Sequence, residues 1–217
     1  MVNETELSEI VKEAKAGGKE RKFTESLELI MVFKDIDVKK GFAINETVQL
    51  PKAGSPATVC VMATGDMGTK AKAADADRVI DASELEQLSS NKRESRKLIN
   101  KYDFFLADTQ IMPTVGKTLG QLLGPRGKMP TPVPFNAPIE SFLQRFRSSI
   151  KVRVRGSLSM SCKIGTKAME DSELAANANT VINMVKTKLP NGEKNIKKIM
   201  VKTTMGKAVR QKAEARK

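Results

Sequence analysis

The sequence predicts a two-domain protein of mixed α+β and α/β class, with one domain built from both chain ends and a parallel-sheet domain inserted between them. Three observations lead there. The middle of the chain repeats short apolar runs followed by helical patterns, which implies βα units with buried strands and helices on both faces of the sheet. The formal net charge is +13, from 38 Lys and Arg against 25 Asp and Glu, and it is unevenly distributed. Residues 57–150 carry 13 basic and 10 acidic side chains, whereas the two flanks together carry 25 and 15, a net of +10. The Pro- and Gly-rich stretch Pro51-Lys52-Ala53-Gly54-Ser55-Pro56 marks the first break between these regimes, and a second falls near Ile150. A basic unit made from both termini and interrupted by an insertion produces this pattern.

In the first flank, Leu7, Ile10, Val11 and Ala14 recur at helical spacing behind a cap at Asn3 or Thr5, and Gly17-Gly18 ends the helix. The basic connector Lys19 to Lys22 leads into a strand in which Leu27, Leu29, Met31 and Phe33 form a buried face. A second strand, about Thr47 to Leu50, follows closely enough to suggest a hairpin with a long loop over residues 35–41. The middle segment opens with the apolar run Ala57 to Ala63 and an alanine-rich helix. Strands at Arg78–Ile80 and Tyr102–Ala107 then alternate with helices around 84–100 and 111–123, and a helix through Ile139, Phe142, Leu143 and Phe146 closes the segment. In the last flank, Lys151-Val152-Arg153-Val154-Arg155 alternates strictly and puts three cations on one strand face. A strand through Leu158, Met160, Cys162 and Ile164 follows, then a helix carrying Leu174, Ala178, Val181, Val185 and Leu189, capped by Asp171 or Ser172. The strand Ile199–Thr203, the turn Thr204-Met205-Gly206 and a basic tail with Lys207, Arg210, Lys212, Arg216 and Lys217 complete the chain.

Composition removes several functions. Hydrophobic residues are 40% and charged residues 29%, as in soluble globular chains. No apolar run approaches the roughly 18 to 20 residues needed to cross a bilayer, and the first residues are acidic where a secretory signal is basic, so no membrane partner and a cytoplasmic site are expected. Cys60 and Cys162 are far apart without CxxC spacing, and the chain contains no histidine, which argues against a metal and against histidine-based catalysis. No cofactor is expected, and no enzymatic activity. Val115-Gly116-Lys117-Thr118 ends like a phosphate-binding loop, but Ile111 stands where its first glycine must be. At Gly124-Pro125-Arg126-Gly127-Lys128-Met129 the glycine spacing is again wrong, and Met129 replaces the hydroxyl that would hold magnesium. Thr64-Gly65-Asp66-Met67-Gly68 follows a strand but lacks the dinucleotide glycine pattern, and reads as a glycine-rich βα turn.

The cationic excess favours a polyanionic partner. Aromatic residues are only 4%, with no Trp and one Tyr, so stacking on single-stranded bases is a poor fit. A basic protein of this kind reads the backbone, phosphates and 2′-hydroxyls of folded RNA. No helix-turn-helix pattern favours DNA. Two stretches are candidate contacts. Gly124 to Pro134, with four prolines, reads as a kinked surface loop that presents Arg126 and Lys128, either a structural linker or a phosphate contact. Thr204-Met205-Gly206, between Lys202 and Lys207, reads as a strand-ending turn or as a contact offering a hydroxyl, an unobstructed backbone and two cations.

Lys22-Phe23-Thr24-Glu25-Ser26, Leu122-Leu123-Gly124-Pro125-Arg126-Gly127-Lys128-Met129-Pro130 and Thr203-Thr204-Met205-Gly206, in that order over essentially the whole chain, resemble the large-subunit ribosomal protein L-one family in its archaeal form. The resemblance implies a split-βαβ antiparallel-sheet domain from residues 1–55 and 151–217, and a Rossmann-like three-layer αβα domain without a nucleotide over 56–150. It implies RNA contacts at Lys22, Phe23, Glu25, Ser26, Lys198, Thr204, Met205, Gly206 and Lys207, with Arg126 and Lys128 as a secondary contact. At Lys198 some relatives carry a small polar residue, so a phosphate contact survives there but not the same hydrogen bond. Glu25 either accepts a bond from RNA, orients Lys22, or serves as a structural ion-pair partner. The implied partners are large-subunit ribosomal RNA, the rest of the 50S subunit, exit-site transfer RNA beneath a mobile protuberance, and the protein's own messenger RNA, whose translation it represses. The free protein is expected to be a monomer.

Overall fold

The computed structural model describes residues 4–18, 21–37, 42–134 and 137–210, and the chain divides into two compact units, Met1–Ser55 with Ser148–Lys217, and Pro56–Arg147. Asn3, Lys19, Glu20, residues 38–41 of the first long loop, and Lys212, Arg216 and Lys217 of the tail lie outside the described residues.

Helix α1 (Glu4–Ala16) buries Leu7, Ile10, Val11 and Ala14, the stripe its periodicity marks. Thr5 lies inside its first turn and does not cap it. Strand β1 (Ser26–Phe33) buries every second side chain from Leu27 to Phe33, and β2 spans Ala43–Gln49, beginning four residues before the expected Thr47.

The inserted unit runs β3 (Val59–Met62), α2 (Gly65–Ala73), β4 (Arg78–Ile80), α3 (Ala82–Ser90), α4 (Lys92–Lys101), β5 (Phe104–Asp108), α5 (Met112–Thr118), α6 (Gly120–Arg126), β6 (Thr131–Val133) and α7 (Ile139–Arg147). Its strands form one parallel sheet in the order β4-β3-β5-β6. Alternate residues of β3 enter opposite cores. Cys60 and Met62 pack with Leu85, Ile99, Val115 and Leu123, while Val59 and Val61 pack with Met67, Leu143 and Phe146. That is a three-layer αβα arrangement.

Two long helical patterns are broken in the structure. The pattern over 84–100 divides at Asn91, whose φ of −107° and ψ of 84° are not helical and whose side chain accepts from the Glu94 amide at 3.4 Å to start α4. The pattern over 111–123 divides at Leu119, between α5 and α6. Gly124 to Arg126, expected in a surface loop, form the last turn of α6, which ends at Gly127 in the left-handed region with φ of 69°. Glycine adopts that conformation without a Cβ clash, and it is a common helix stop. Pro125 sits at the end of α6 and Thr131–Val133 pair with β5, so the proline-rich stretch is a helix stop and an edge strand.

The second flank supplies β7 (Ser149–Arg155), β8 (Ser159–Thr166), α8 (Asp171–Lys188), β9 (Ile196–Thr203) and a short β10 (Val209–Arg210). Leu158 precedes β8 and is exposed. Glu170 occupies the N-cap of α8, with Asp171 the first helical residue, so neither expected capping residue holds that position. The sheet order is β10-β9-β1-β8. Both β8 and β9 are antiparallel to β1, hence parallel to each other, and α8 connects them across the intervening strand. This is the split βαβ arrangement. Helices α1 and α8 pack together over the face formed by Leu29, Met31, Ile199 and Val201.

The expected β1–β2 hairpin does not form. Both edges of β1 are taken by β8 and β9, and β2 pairs instead with β7, from Ala43 opposite Arg155 to Gln49 opposite Ser149. Nearness in sequence lowers the entropy of closing a hairpin, but the burial available to a central strand outweighs it.

Cys60 and Cys162 are free and buried, and burial pushes both thiols up from 9.0 to about 12. Because the folded values lie above the unfolded one, the associated stability is complete below pH 9 and is lost as pH rises towards 12. Native protein at pH 8 is expected to resist iodoacetamide at both positions, with two alkylations after denaturation. Rapid native labelling of either thiol, read by mass spectrometry, would contradict the packing described. No helix among the described residues is long and apolar enough to cross a membrane, and none of their Cys, Asp and Glu residues form a group able to hold a metal.

Candidate nucleic-acid interface

Antiparallel pairing places the start of β1 between the ends of its two neighbours. Ser26 lies opposite Thr166 at the end of β8, and Leu27 opposite Thr203 at the end of β9. The segment before β1, the residues after β8 and the turn after β9 therefore meet at one end of the sheet. Local hydrogen bonds join them. The Lys167 amide donates to the Glu25 carbonyl at 2.8 Å, and the Thr204 amide donates to the Ser26 carbonyl at 3.0 Å.

Thr204 binds the same residue through its side chain. Its Oγ1 accepts from the Ser26 amide at 3.0 Å and donates to the Ser26 carbonyl at 3.3 Å. With the hydroxyl proton engaged, the remaining capacity of this oxygen is one lone pair, so towards any ligand it can only accept. The Ser26 hydroxyl makes no bond among the described residues and retains both functions.

Glu25 is buried, and its Oε1 accepts from the Met205 amide at 3.0 Å. The carboxylate thereby holds the turn that presents Met205 and Gly206. A Cβ on Gly18 would stand 3.3 Å from Glu25 Oε2, 3.4 Å from Thr203 Oγ1 and 3.6 Å from Lys167 Nζ, so these three groups surround one point beneath the surface. The Gly206 amide closes the turn on the Thr203 carbonyl at 3.1 Å. The Thr203 hydroxyl is fully buried and makes no hydrogen bond among the described residues.

Above this hydrogen-bonded base, Phe23 is 54% exposed and Met205 62% exposed, two of the few large apolar side chains in the described structure that face solvent. Lys22 and Lys207 are exposed beside them in sequence. Apolar side chains held in water by a rigid polar turn and flanked by cations form a surface suited to a polyanion that also offers sugar and base faces.

The candidate residues separate into three places. Lys22, Phe23, Glu25, Ser26, Thr204, Met205, Gly206 and Lys207 lie at this end of the sheet. Lys198 is exposed on β9 opposite Val32, five residues before Thr203 and thus about 17 Å away along the strand. It shares the strand but not the cluster. Arg126 and Lys128 belong to the other unit. Arg126 is exposed at the end of α6, but Lys128, expected to point outward, turns in and donates to the Ile99 and Tyr102 carbonyls at 2.9 and 2.6 Å. Those carbonyls are the open C-terminal acceptors of α4, so the ammonium caps a helix there. Burial lowers the Lys128 pKa, and the nearby Asp103 carboxylate opposes that shift.

Lys167 and Gly18 carry no motif of their own, and only the pairing of β8 with β1 brings Lys167 to the site. The nucleotide-like stretches also resolve. Gly116 and Lys117 are inside α5, with no loop to wrap a phosphate. Thr64 and Gly65 begin α2 beside a cleft of about 400 Å³ that also exposes Asp81, a carboxylate unfavourable to an anion.

Residues 11–207 match the profile of the Ribosomal protein L1p/L10e family. The chain is 68% identical over 211 residues to the large ribosomal subunit protein uL1 of Cenarchaeum symbiosum, covering 97% of this chain and 98% of that one. It is 41% identical to the protein of that name from Methanoculleus marisnigri over 97% of this chain and 99% of the relative. It is 42% identical to the one from Thermofilum pendens, over 94% and 92% respectively.

Proposed function

This chain belongs to the ribosomal protein L1p/L10e family, and from that premise we propose that the surface at the end of β1 and β9 is where it grips folded ribosomal RNA. As a family member it is a structural constituent of the large ribosomal subunit that binds ribosomal RNA, and not an enzyme. The observation that carries the site is the exposure of Phe23 and Met205 on a turn fixed by Glu25 and Thr204. In this reading Lys22 and Lys207 neutralise phosphates, and Ser26 and Thr204 meet 2′-hydroxyls. Phe23 and Met205 pack on sugar and base faces, and Gly206 admits the RNA backbone. Glu25 works from below by holding the turn. Lys198, further along β9, adds a phosphate contact at the edge of the footprint.

We further propose that the protein forms a mobile protuberance near exit-site transfer RNA and represses its own messenger RNA through a structure that mimics the ribosomal site. The free protein acts as a monomer. Family resemblance supports these roles, and one shared surface makes them mutually exclusive for the two RNAs. Messenger leader RNA and a ribosomal RNA fragment are therefore expected to compete for one protein molecule in a mobility-shift titration. A ternary complex would refute the shared site. Binding to the preferred RNA fragment is expected to exceed binding to a DNA duplex of equal length across a salt series. Equal affinity for the two would reduce the protein to a polycation and remove the proposed site.

A further inference from the structure

The inserted unit carries a charged feature that the residues so far assigned do not use. Helix α4 contains Lys92, Arg93, Arg96, Lys97 and Lys101, all exposed, with Glu94 as its single acidic residue. At about 100° per residue the five cations fall within one half of the helix circumference, and the buried Ser95 and Ile99 fall in the other. None of the five forms an ion pair among the described residues, and only Lys101 has another partner there, its Nζ lying 5.5 Å from the Tyr102 ring centroid. Glu84 on the neighbouring α3 is engaged by Arg78.

Local stability does not explain this arrangement. Lys92 and Arg93 occupy the first turn, where the helix dipole disfavours positive charge. Lys92 with Arg96, Arg93 with Lys97 and Lys97 with Lys101 are like charges four residues apart, and Arg93 with Arg96 three apart, so each pair repels. The helix is nevertheless well anchored. Asn91 caps its start, Ile99 packs in the core, and Lys128 satisfies carbonyls at its end. A rigid helix about 15 Å long therefore displays a cationic face without ion pairs at a cost to its own stability.

We propose that this face of α4 is a second RNA-binding surface, which holds the phosphodiester backbone of a ribosomal RNA segment through charge. The proposal rests on the chain's being an RNA-binding ribosomal constituent, but it is independent of the site at β1 and β9. Exposed aromatic side chains are absent from α4, so the contact reads backbone and not base sequence. Bound phosphates would relieve the repulsion that the free helix carries.

The test uses the full chain and a full-length large-subunit ribosomal RNA transcript, titrated between 50 and 300 mM salt, roughly the range over which counterion release is readable. The Arg93→Gln, Arg96→Gln, Lys97→Gln triple variant is expected to bind about tenfold more weakly at low salt. Its slope of log K against log salt should be smaller by about 2 to 3, near one unit per lost phosphate contact. Its thermal stability should be unchanged or higher. A control that neutralises Lys70, Lys72 and Lys117, exposed cations of the same unit, is expected to change the slope by less than about 1. An α4 variant that binds like the parent overturns the proposal, as does a control that loses as much. Normal RNA binding with a defect only in assembly with subunit proteins overturns it in favour of an acidic protein partner. Gly206→Ala, measured in parallel, separates the two sites. If it alone weakens binding, the β1–β9 site stands and this inference falls; if only the α4 variant weakens binding, the reverse holds.

Discussion

Gly206→Val is expected to weaken ribosomal RNA binding by roughly 100-fold while leaving the protein folded. The Gly206 Cα approaches Thr203 so closely that an added Cβ would lie 2.2 Å from its Oγ1. Thr203 is fully buried and β-branched, which leaves it little room to turn aside. The turn must therefore open, taking the Thr204 hydroxyl from Ser26 and the Met205 amide from Glu25. Overpacking of this kind costs about 1–3 kcal/mol of stability. Displacing two or three RNA contacts worth about 1–1.5 kcal/mol each weakens binding by about two orders of magnitude. A second pair of variants isolates the cause. Gly206→Ala should weaken binding in the parent but much less in a Thr203→Ala background, where the obstructing atom is gone. Equal losses in both backgrounds, measured by filter binding at fixed salt, would show that the close approach is not what shapes the site.

The second large effect is on stability. Strand β8 bulges against β1, since Leu27 pairs with Gly165 while Glu28 pairs with Lys163, leaving Ile164 out of the register. The Ile164 carbonyl takes its hydrogen bond from Asn177 Nδ2 of α8 at 2.8 Å. The same side chain binds the Lys52 carbonyl at 2.6 Å and the Lys52 amide at 3.1 Å, so one fully buried amide serves three backbone groups. Asn177→Leu keeps the branched outline, with bulkier methyls, and strands the Ile164 carbonyl in the core, while Lys52 can turn to water. A loss of about 3 kcal/mol is expected, which lowers the melting temperature by roughly 6–12 °C for a chain of this size. RNA affinity per folded molecule should remain unchanged at low temperature. A shift below about 2 °C by calorimetry would mean that water replaces the amide throughout.

Much of the fold is legible in local pattern. The alternation of Leu27, Leu29, Met31 and Phe33, the helical stripes of α1 and α8, and the buried runs at β3 and β5 each reflect a repeat of two or 3.6 residues that burial of one face demands. The exclusion of phosphate-binding loops was equally local. Interruptions such as Asn91 and Leu119 were less legible, because the stripe continues across them while the backbone turns. The candidate site was visible only as separate motifs joined by resemblance.

The residue types and their periodicity alone determined most of the helices and strands, though not the end of α6, β6 or β10. They also determined that the charge would concentrate in the flanks and that the middle would be a parallel α/β unit. Which strands pair was decided by tertiary structure. A strand's alternation states which face it buries but not which neighbour it meets, so β1 found partners more than 120 residues away instead of β2. That choice brought Lys167 and Thr204 to Glu25 and Ser26. Likewise, the positive charge of Lys128 was evident, but only the packing of α4 against the end of α6 turned it inward. Side-chain charge and apolarity are properties of single residues, whereas partners are chosen by the burial and hydrogen bonding that the whole unit makes available.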